Sequence, residues 1–348
     1  MTASIGYAAH SSDSSLQPYS FERRDPQAND VVIDIEFCGV CHSDIHQVRD
    51  EWGGSIFPMV PGHEIVGTVR AVGKDVTRFK PGDTAAVGVM VGSCRECANC
   101  RQGLEQYCEV GMVGTYGAKD RYGDITYGGY ADVIVADEHF VYALSPKMGK
   151  AASAPLLCAG ITTYSPLKHW GAGPGKKVGV VGLGGLGHMG LKFAHSLGAN
   201  VTQFTTSAGK IEDAQRLGAD AVILSRDANA MAKEKASFDL ILDTVSAQHD
   251  LAPYLHLLKL DGALVMVGLP EQPLALSPGS LCIPRRSVAG SGIGGVPETQ
   301  EMLDYCADHG IVSDVEVIPI QQINEAFERV LKSDVKYRFV IDMASLAG

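Results

Sequence analysis

Four of the nine cysteines fall within fifteen residues, as Cys94, Cys97, Cys100 and Cys108. Thiolates at two-residue gaps can wrap one divalent ion, and Zn²⁺ takes four sulfurs in a tetrahedron without redox chemistry. A four-sulfur shell leaves no position for water or substrate, so the spacing predicts a structural zinc site. Two disulfides are the competing use of such a ladder. They belong mainly to short secreted chains, and this chain has 348 residues. A catalytic metal must therefore be sought elsewhere.

The length allows two domains, each with its own core. Apolar residues at 45% and charged residues at 20% describe an ordinary globular protein. A formal net charge of −11 argues against nucleic acid or an anionic membrane as partner, since both need a basic face, but it leaves room for a local phosphate pocket. No stretch approaches the roughly 20 apolar residues of a membrane span. Residues 1–7 lack the basic and apolar regions of a secretory leader, so none is expected. Cys38, Cys282 and Cys306 stand alone and read as small hydrophobes. The expected location is the reducing cytoplasm.

Up to about residue 150 the chain reads as short strands broken by Gly and Pro, such as 31–37 and 65–72, with a turn at 81–83. That density of turns predicts a β-rich, barrel-type domain. The texture changes after Ala151. Strands are predicted at 177–181, 201–205, 221–224, 238–242 and 263–267, with helices over 186–197 and 210–217. This alternation means a doubly wound parallel sheet. Two amphipathic helices, near 298–309 and 321–331, and an apolar strand at 338–341 follow. The expected division is residues 1–150 with 297–348 in one domain and 151–296 in the other. The Ser-rich 11–15 segment reads as a turn.

Gly182-Leu183-Gly184-Gly185-Leu186-Gly187 sits between the 177–181 strand and the 186–197 helix. In that context a G-x-G-x-x-G run predicts a dinucleotide site: Gly182 for the tight turn, Gly184 for approach to pyrophosphate, Gly187 for helix–strand packing. The helix N-terminus supplies partial positive charge to the phosphates. Where an NAD site normally places a carboxylate, this chain has Thr205, Thr206, Ser207 and Lys210. Hydroxyls and an ammonium suit a 2′-phosphate, so the residue types favour NADP(H). The alternative for Lys210 is a solvated helix residue.

A second metal set is scattered. Cys41 lies in Cys41-His42-Ser43-Asp44-Ile45-His46, followed by His63-Glu64 and by Cys158. Two thiolates and one imidazole hold Zn²⁺ with one position open, the arrangement of a catalytic site. Glu64 fits either an exchangeable fourth ligand or a supporting group. Taken singly, Cys158 also reads as helix core and His63 as a turn residue.

Together these motifs resemble the zinc-dependent medium-chain alcohol dehydrogenases along essentially the whole chain. The carriers are Gly62-His63-Glu64 with Gly67, Gly73 and Val76, the cysteine ladder, and the glycine loop. Residues 38–44, 156–166 and 294–301 resemble the cinnamyl alcohol dehydrogenase branch, most of all its bacterial NADPH-dependent aldehyde reductases of broad specificity.

The resemblance implies an α/β chain: a GroES-like, β-barrel-type catalytic domain with a structural zinc lobe, and a Rossmann domain. It implies two zinc ions, NADP(H), and hydride transfer between nicotinamide and a small alcohol or aldehyde. Zinc would be held by Cys41, His63 and Cys158, with Glu64 able to swing onto it. Ser43 would hydrogen-bond the substrate oxygen beside the cofactor, His46 would pass the proton to solvent, and Asp44 would orient His63. Ser43 and Asp44 also fit a helix N-cap. Thr162, Thr244, Gly268, Ser291, Gly292 and Ile293 join the loop and Thr205–Lys210 as cofactor contacts. Arg338 fits a pyrophosphate contact or a surface arginine. A homodimer joined near 287–293 is implied.

Gly114 stands near the place of a large aromatic pocket wall in the plant lignin enzymes, which argues against strict cinnamyl specificity. Trp52 fits a pocket wall or a core residue. The rival readings are an NAD-dependent polyol or short-chain alcohol dehydrogenase and a zinc- and nucleotide-binding protein without catalysis.

Overall fold

The computed structural model describes residues 2–347; Met1 and Gly348, the outer bounds of the predicted first domain, lie outside the described residues. The chain forms two compact units, Met1–Ile161 with Gly294–Gly348 and Thr162–Ile293.

The first unit is built on a seven-stranded sheet. Its central strand, Asp30–Gly39, is buried along most of its length because it has neighbours on both sides. It pairs antiparallel with Ile65–Val72 and Val133–Asp137, and at its C-terminal end with Arg338–Asp342. Ile33, Ile65, Val87, Ile134, Phe339 and Ile341 belong to one core. The register matters for chemistry. Cys38 opposes Ile65, so the chain leaving one strand toward Cys41 runs beside the chain entering the other through His63 and Glu64. Arg338 begins the C-terminal strand of the same ladder.

The second unit is a six-stranded parallel sheet. Its strands are β1 (Lys177–Val181), β2 (Asn200–Thr205), β3 (Ala221–Leu224), β4 (Phe238–Asp243), β5 (Leu258–Met266) and β6 (Ser287–Gly290), ordered β3-β2-β1-β4-β5-β6. Val181, Phe204, Phe238, Ile241 and Leu264 form its core. The order reverses between β1 and β4, the switch point at which such sheets bind ligands, and the glycine loop follows β1. The predicted helices appear as Gly187–Ser196 and Ile211–Arg216. The four-residue β6 and the helix Ala228–Lys233, capped by Asp227, carry no apolar run that announces them.

The expected 151–296 division is corrected at both ends. The helical turns Lys150–Ser153 and Ala154–Leu157 pack on the strands of the first unit and deliver Cys158 there. Gly294 and Gly295 belong to the first unit as well: a side chain at Gly295 would collide with the Gly103 carbonyl. The helices Val296–His309 and Ile323–Leu331 follow, and at residues 11–14 the Ser14 amide closes a turn onto the Ser11 carbonyl. No described helix is long and apolar enough to cross a membrane.

Candidate active site and metal centres

Ligand atoms of Cys94, Cys97, Cys100 and Cys108 all lie within 4.8 Å of one another. The Cys94 and Cys100 sulfurs are 3.9 Å apart, far beyond a disulfide bond. Backbone amides aim at these sulfurs: Cys97 N donates to Cys94 Sγ at 3.3 Å, and Cys100 N and Glu109 N donate to Cys97 Sγ at 3.5 Å. Those amide bonds hold the Cys97 thiol down to about 6. Such a set of polarised sulfurs fits a closed tetrahedral ion.

The lobe that carries them is fastened by Glu105, a buried carboxylate the sequence reading passes over. It pairs with His139 Nε2 at 3.1 Å and accepts from the Val296 amide at 2.9 Å, capping the Val296–His309 helix from outside.

Cys41, His63, Glu64 and Cys158 form the second cluster, all buried, with ligand atoms again within 4.8 Å of one another. The Cys41 and Cys158 sulfurs are 3.8 Å apart. Two sulfurs on one tetrahedral zinc, each at about 2.3 Å, would be separated by about 3.8 Å. His63 Nε2 and Glu64 Oε2 are buried with no hydrogen-bond partner among the described residues. Buried polar atoms without partners are rare, and here both border the sulfur pair. The residues fit the ion that the donor set implies.

Asp44 organises the ligands from behind. It is fully buried and accepts from the Cys41 amide at 2.9 Å, the Gly62 amide at 3.2 Å and the Tyr130 hydroxyl at 3.1 Å. Its Oδ1 lies 3.0 Å from His63 Nδ1, which fixes the ring so that Nε2 points away from the carboxylate. The expected N-cap at Ser43 or Asp44 is corrected: Cys41 is the N-cap of helix His42–Val48, and Asp44, three residues on, closes a capping box with it. Burial opposes a charge on His63, but Asp44 outweighs it and holds the ring well above the usual histidine range. Between the sulfurs, the bond to Cys158 holds Cys41 low and raises Cys158. Asp44→Asn would turn an amide group toward several donors. Zinc affinity and turnover are expected to fall by about 10–100-fold, the usual cost of losing such a partner. Chelator competition measures it, and wild-type retention of metal would count against the role.

Arg338 is neither a surface residue nor free for a phosphate. It is buried, donates to the Val40 carbonyl at 2.9 Å and forms a short ion pair with Glu64 Oε1. Burial still pushes the Glu64 carboxyl up to about 7, despite the opposing pull of Arg338. Glu64 therefore has one oxygen on Arg338 and the other unpartnered beside the sulfurs.

Ser43 Oγ lies 3.6 Å from Cys41 Sγ, so its hydroxyl adjoins the cluster. His46 pairs closely through Nδ1 with Glu51, a partner not read from the sequence. His46 is nearly buried, whereas Glu51 is partly exposed. Trp52 is 46% exposed and stacks on His46 at 5.0 Å, which removes the core reading. Gly114 lies in the short strand Val113–Gly114, and Tyr116 beyond it stacks on His63 at 5.8 Å.

In the second unit, Gly182 has φ +87° and a side chain there would press on Thr244 and Val245. At Gly187 it would collide with the Gly182 carbonyl. Gln203 Nε2 donates to the Gly182 carbonyl at 2.9 Å, and Thr244 Oγ1 to the Val181 carbonyl at 2.7 Å, so strands on both sides brace the loop. Lys210 Nζ donates to the Leu183 carbonyl at 2.8 Å, which places its ammonium on the loop and not in bulk solvent. Thr205 is buried while Thr206 and Ser207 are exposed just beyond β2. Thr162 is buried on the helix Ala159–His169. Gly268 follows β5, where a side chain would strike the Val245 carbonyl. Ser291–Ile293 follow β6, and Ile293 has φ +39°, a conformation β-branched residues avoid at a cost of about 1–3 kcal/mol.

Residues 27–146 match the alcohol dehydrogenase GroES-like domain, and residues 185–308 the zinc-binding dehydrogenase domain. The chain is 56% identical to NADP-dependent alcohol dehydrogenase C 1 of Mycolicibacterium smegmatis, over 99% of both chains. It is 57% identical to aldehyde reductase YahK of Escherichia coli, over 97% of both. The crystallised cinnamyl alcohol dehydrogenase SbCAD4 of Sorghum bicolor is 46% identical, with a TM-score of 0.96 over 99% of this chain and 98% of that one. The two-unit architecture is that of these enzymes, and the chain belongs to the zinc-dependent medium-chain alcohol dehydrogenases, in their cinnamyl alcohol dehydrogenase branch.

Proposed function

We propose that the protein is an NADP(H)-preferring alcohol dehydrogenase that works mainly as a reductase of aliphatic and aromatic aldehydes. The observation that carries this reading is the buried Cys41–His63–Cys158 set, with an unpartnered imidazole nitrogen, beside the Ser43 hydroxyl. When bound, zinc supplies Lewis acidity at the carbonyl oxygen and NADPH supplies the hydride.

The chain's own groups do the rest. Ser43 orients the substrate oxygen and donates a proton to it as the alcohol forms. His46 replaces that proton, and Glu51 on its Nδ1 extends the route to the surface. Asp44 keeps His63 in the ligating tautomer. Gly114 leaves the pocket open where the lignin enzymes have a bulky ring, which suits a broad substrate range.

Thr206, Ser207 and Lys210 favour the 2′-phosphate. With butanal or benzaldehyde, NADPH is expected to be consumed faster than NADH. Ser207→Asp is expected to weaken NADPH use by about tenfold or more, since juxtaposed like charges cost several kcal/mol. Faster turnover with NADH by the unmodified enzyme would favour the NAD-dependent polyol or short-chain reading.

The subunits are assigned to a homodimer joined at β6, the sheet's edge strand. Leu269 and Ile283, 61% and 89% exposed, belong to the same unit and suit a covered face. A monomer in sedimentation equilibrium would exclude it. Two clusters of reduced thiols suit the cytoplasm.

A further inference from the structure

The segment after β4 carries a part-buried ionisable pair that the chemistry above does not use. Asp243, the last residue of β4, is 1% exposed. Its Oδ2 lies 2.8 Å from His249 Nε2, and its Oδ1 accepts from the Val245 amide at 3.1 Å. The other nitrogen of His249, Nδ1, lies 2.9 Å from the Ala247 carbonyl oxygen.

A carbonyl oxygen can only accept, so Nδ1 must carry a hydrogen. The contact at Nε2 then needs a second proton, on the ring or on the carboxyl. The pair therefore holds one proton more than a neutral imidazole beside a carboxylate. Burial raises the Asp243 carboxyl above its usual range while His249 pulls it down, in keeping with a shared proton. Removing that proton sets a nitrogen lone pair against a carboxylate oxygen, which breaks the contact.

What the contact restrains is the turn 243–245. A side chain at Gly182 would lie 2.9 Å from Val245 Cγ2 and 3.0 Å from Thr244 Oγ1, and one at Gly187 3.2 Å from Thr244 Oγ1. Thr244 also donates through its amide to the Val181 carbonyl at 3.1 Å. The turn is thus the back wall of the glycine loop. Other titratable or charged groups nearby are Tyr254, whose ring centroid is 6.4 Å from that of His249, and Asp250, which accepts from the Ala252 amide. Neither of these bonds a His249 nitrogen.

We propose that His249 is a positioning residue for the dinucleotide: while the His249–Asp243 pair keeps its extra proton, it holds Thr244 and Val245 against the glycine loop, and NADPH binds tightly. This rests on the reading of the loop as the NADPH site. The sign follows directly. Affinity is highest at low pH and falls as the pair loses its proton.

NADPH dissociation constants, from quenching of protein fluorescence in the zinc-loaded enzyme at a series of pH values from about 5 to 8, test it. His249→Ala is expected to weaken binding about tenfold at the acidic end, equivalent to about 1.4 kcal/mol, and to flatten the pH dependence relative to the unmodified enzyme. His249→Gln, which donates to Asp243 through an amide that does not titrate, is expected to restore affinity while leaving the profile flat. If His249→Ala does not fold, the profile of His249→Gln decides alone. Wild-type affinity with a wild-type pH profile in either variant overturns the proposal. Failure of the unmodified enzyme to bind NADPH at any pH overturns the cofactor assignment itself, and this inference with it.

Discussion

Cys158→Ser is expected to yield a folded protein that still binds NADPH but no longer reduces aldehydes. The substitution changes one atom in a buried cluster where the two sulfurs lie 3.8 Å apart. A serine hydroxyl does not ionise near neutral pH, so it offers no anionic donor to a soft-to-borderline metal. Cys41 and His63 alone make a poor zinc site. The expected loss of turnover lies well beyond the roughly 10–100-fold cost of removing an outer-shell partner such as Asp44. Binding of NADPH is expected to survive because the residues proposed to contact it lie in Thr162–Ile293, a unit with a core of its own. Steady-state assay with fluorescence titration of NADPH separates the two effects. Appreciable aldehyde reduction by this variant would remove the metal from the mechanism.

Cys100→Ser acts on the other cluster and in the opposite order. It is expected to lower the melting temperature and expose the lobe to protease before it alters the chemistry. Metal-binding free energy at a structural zinc site is folding free energy, about 10–16 kcal/mol in isolated zinc fingers at neutral pH. Cys100 is the buried member of its set, and backbone amides donate to the Cys94 and Cys97 sulfurs beside it. Loss of the ion leaves Glu105 on a melted lobe, so the cap on the Val296–His309 helix weakens with it. Calorimetry before and after chelation reports this. An unchanged melting temperature in Cys100→Ser would show that these sulfurs bind no structural ion.

The cysteine ladder and the glycine loop were legible in the sequence because their chemistry is local, whereas the scattered Cys41, His63, Glu64 and Cys158 set was gathered by the family resemblance. The ladder closes within fifteen residues, and the loop announces itself by standing between a strand and a helix. Most strands of the parallel sheet were legible for the same reason, as short apolar runs with helical spacing between them. The four-residue β6 lacked such a run. What spacing does not encode is the choice of distant partners. Arg338 meets Glu64 across 274 positions, and Tyr130 meets Asp44 across 86. These contacts exist because the Arg338–Asp342 strand joins the ladder of Asp30–Gly39. Glu51 is only five residues from His46, yet it reads as one more surface carboxylate until helix His42–Val48 ends and turns it back. The domain boundary was displaced for a related reason. The helical turns before Cys158 resemble the start of an α/β unit, but their partners are strands of the first unit.

Metal analysis of the purified enzyme and its two cysteine variants tests the central claim most directly. Zinc bound per subunit should be about two in the active wild-type protein, one cluster each, and about one in both Cys158→Ser and Cys100→Ser. Only the first of these variants should be inactive while keeping the wild-type melting temperature to within a few degrees. A fully active wild-type enzyme carrying one zinc or none would contradict the account.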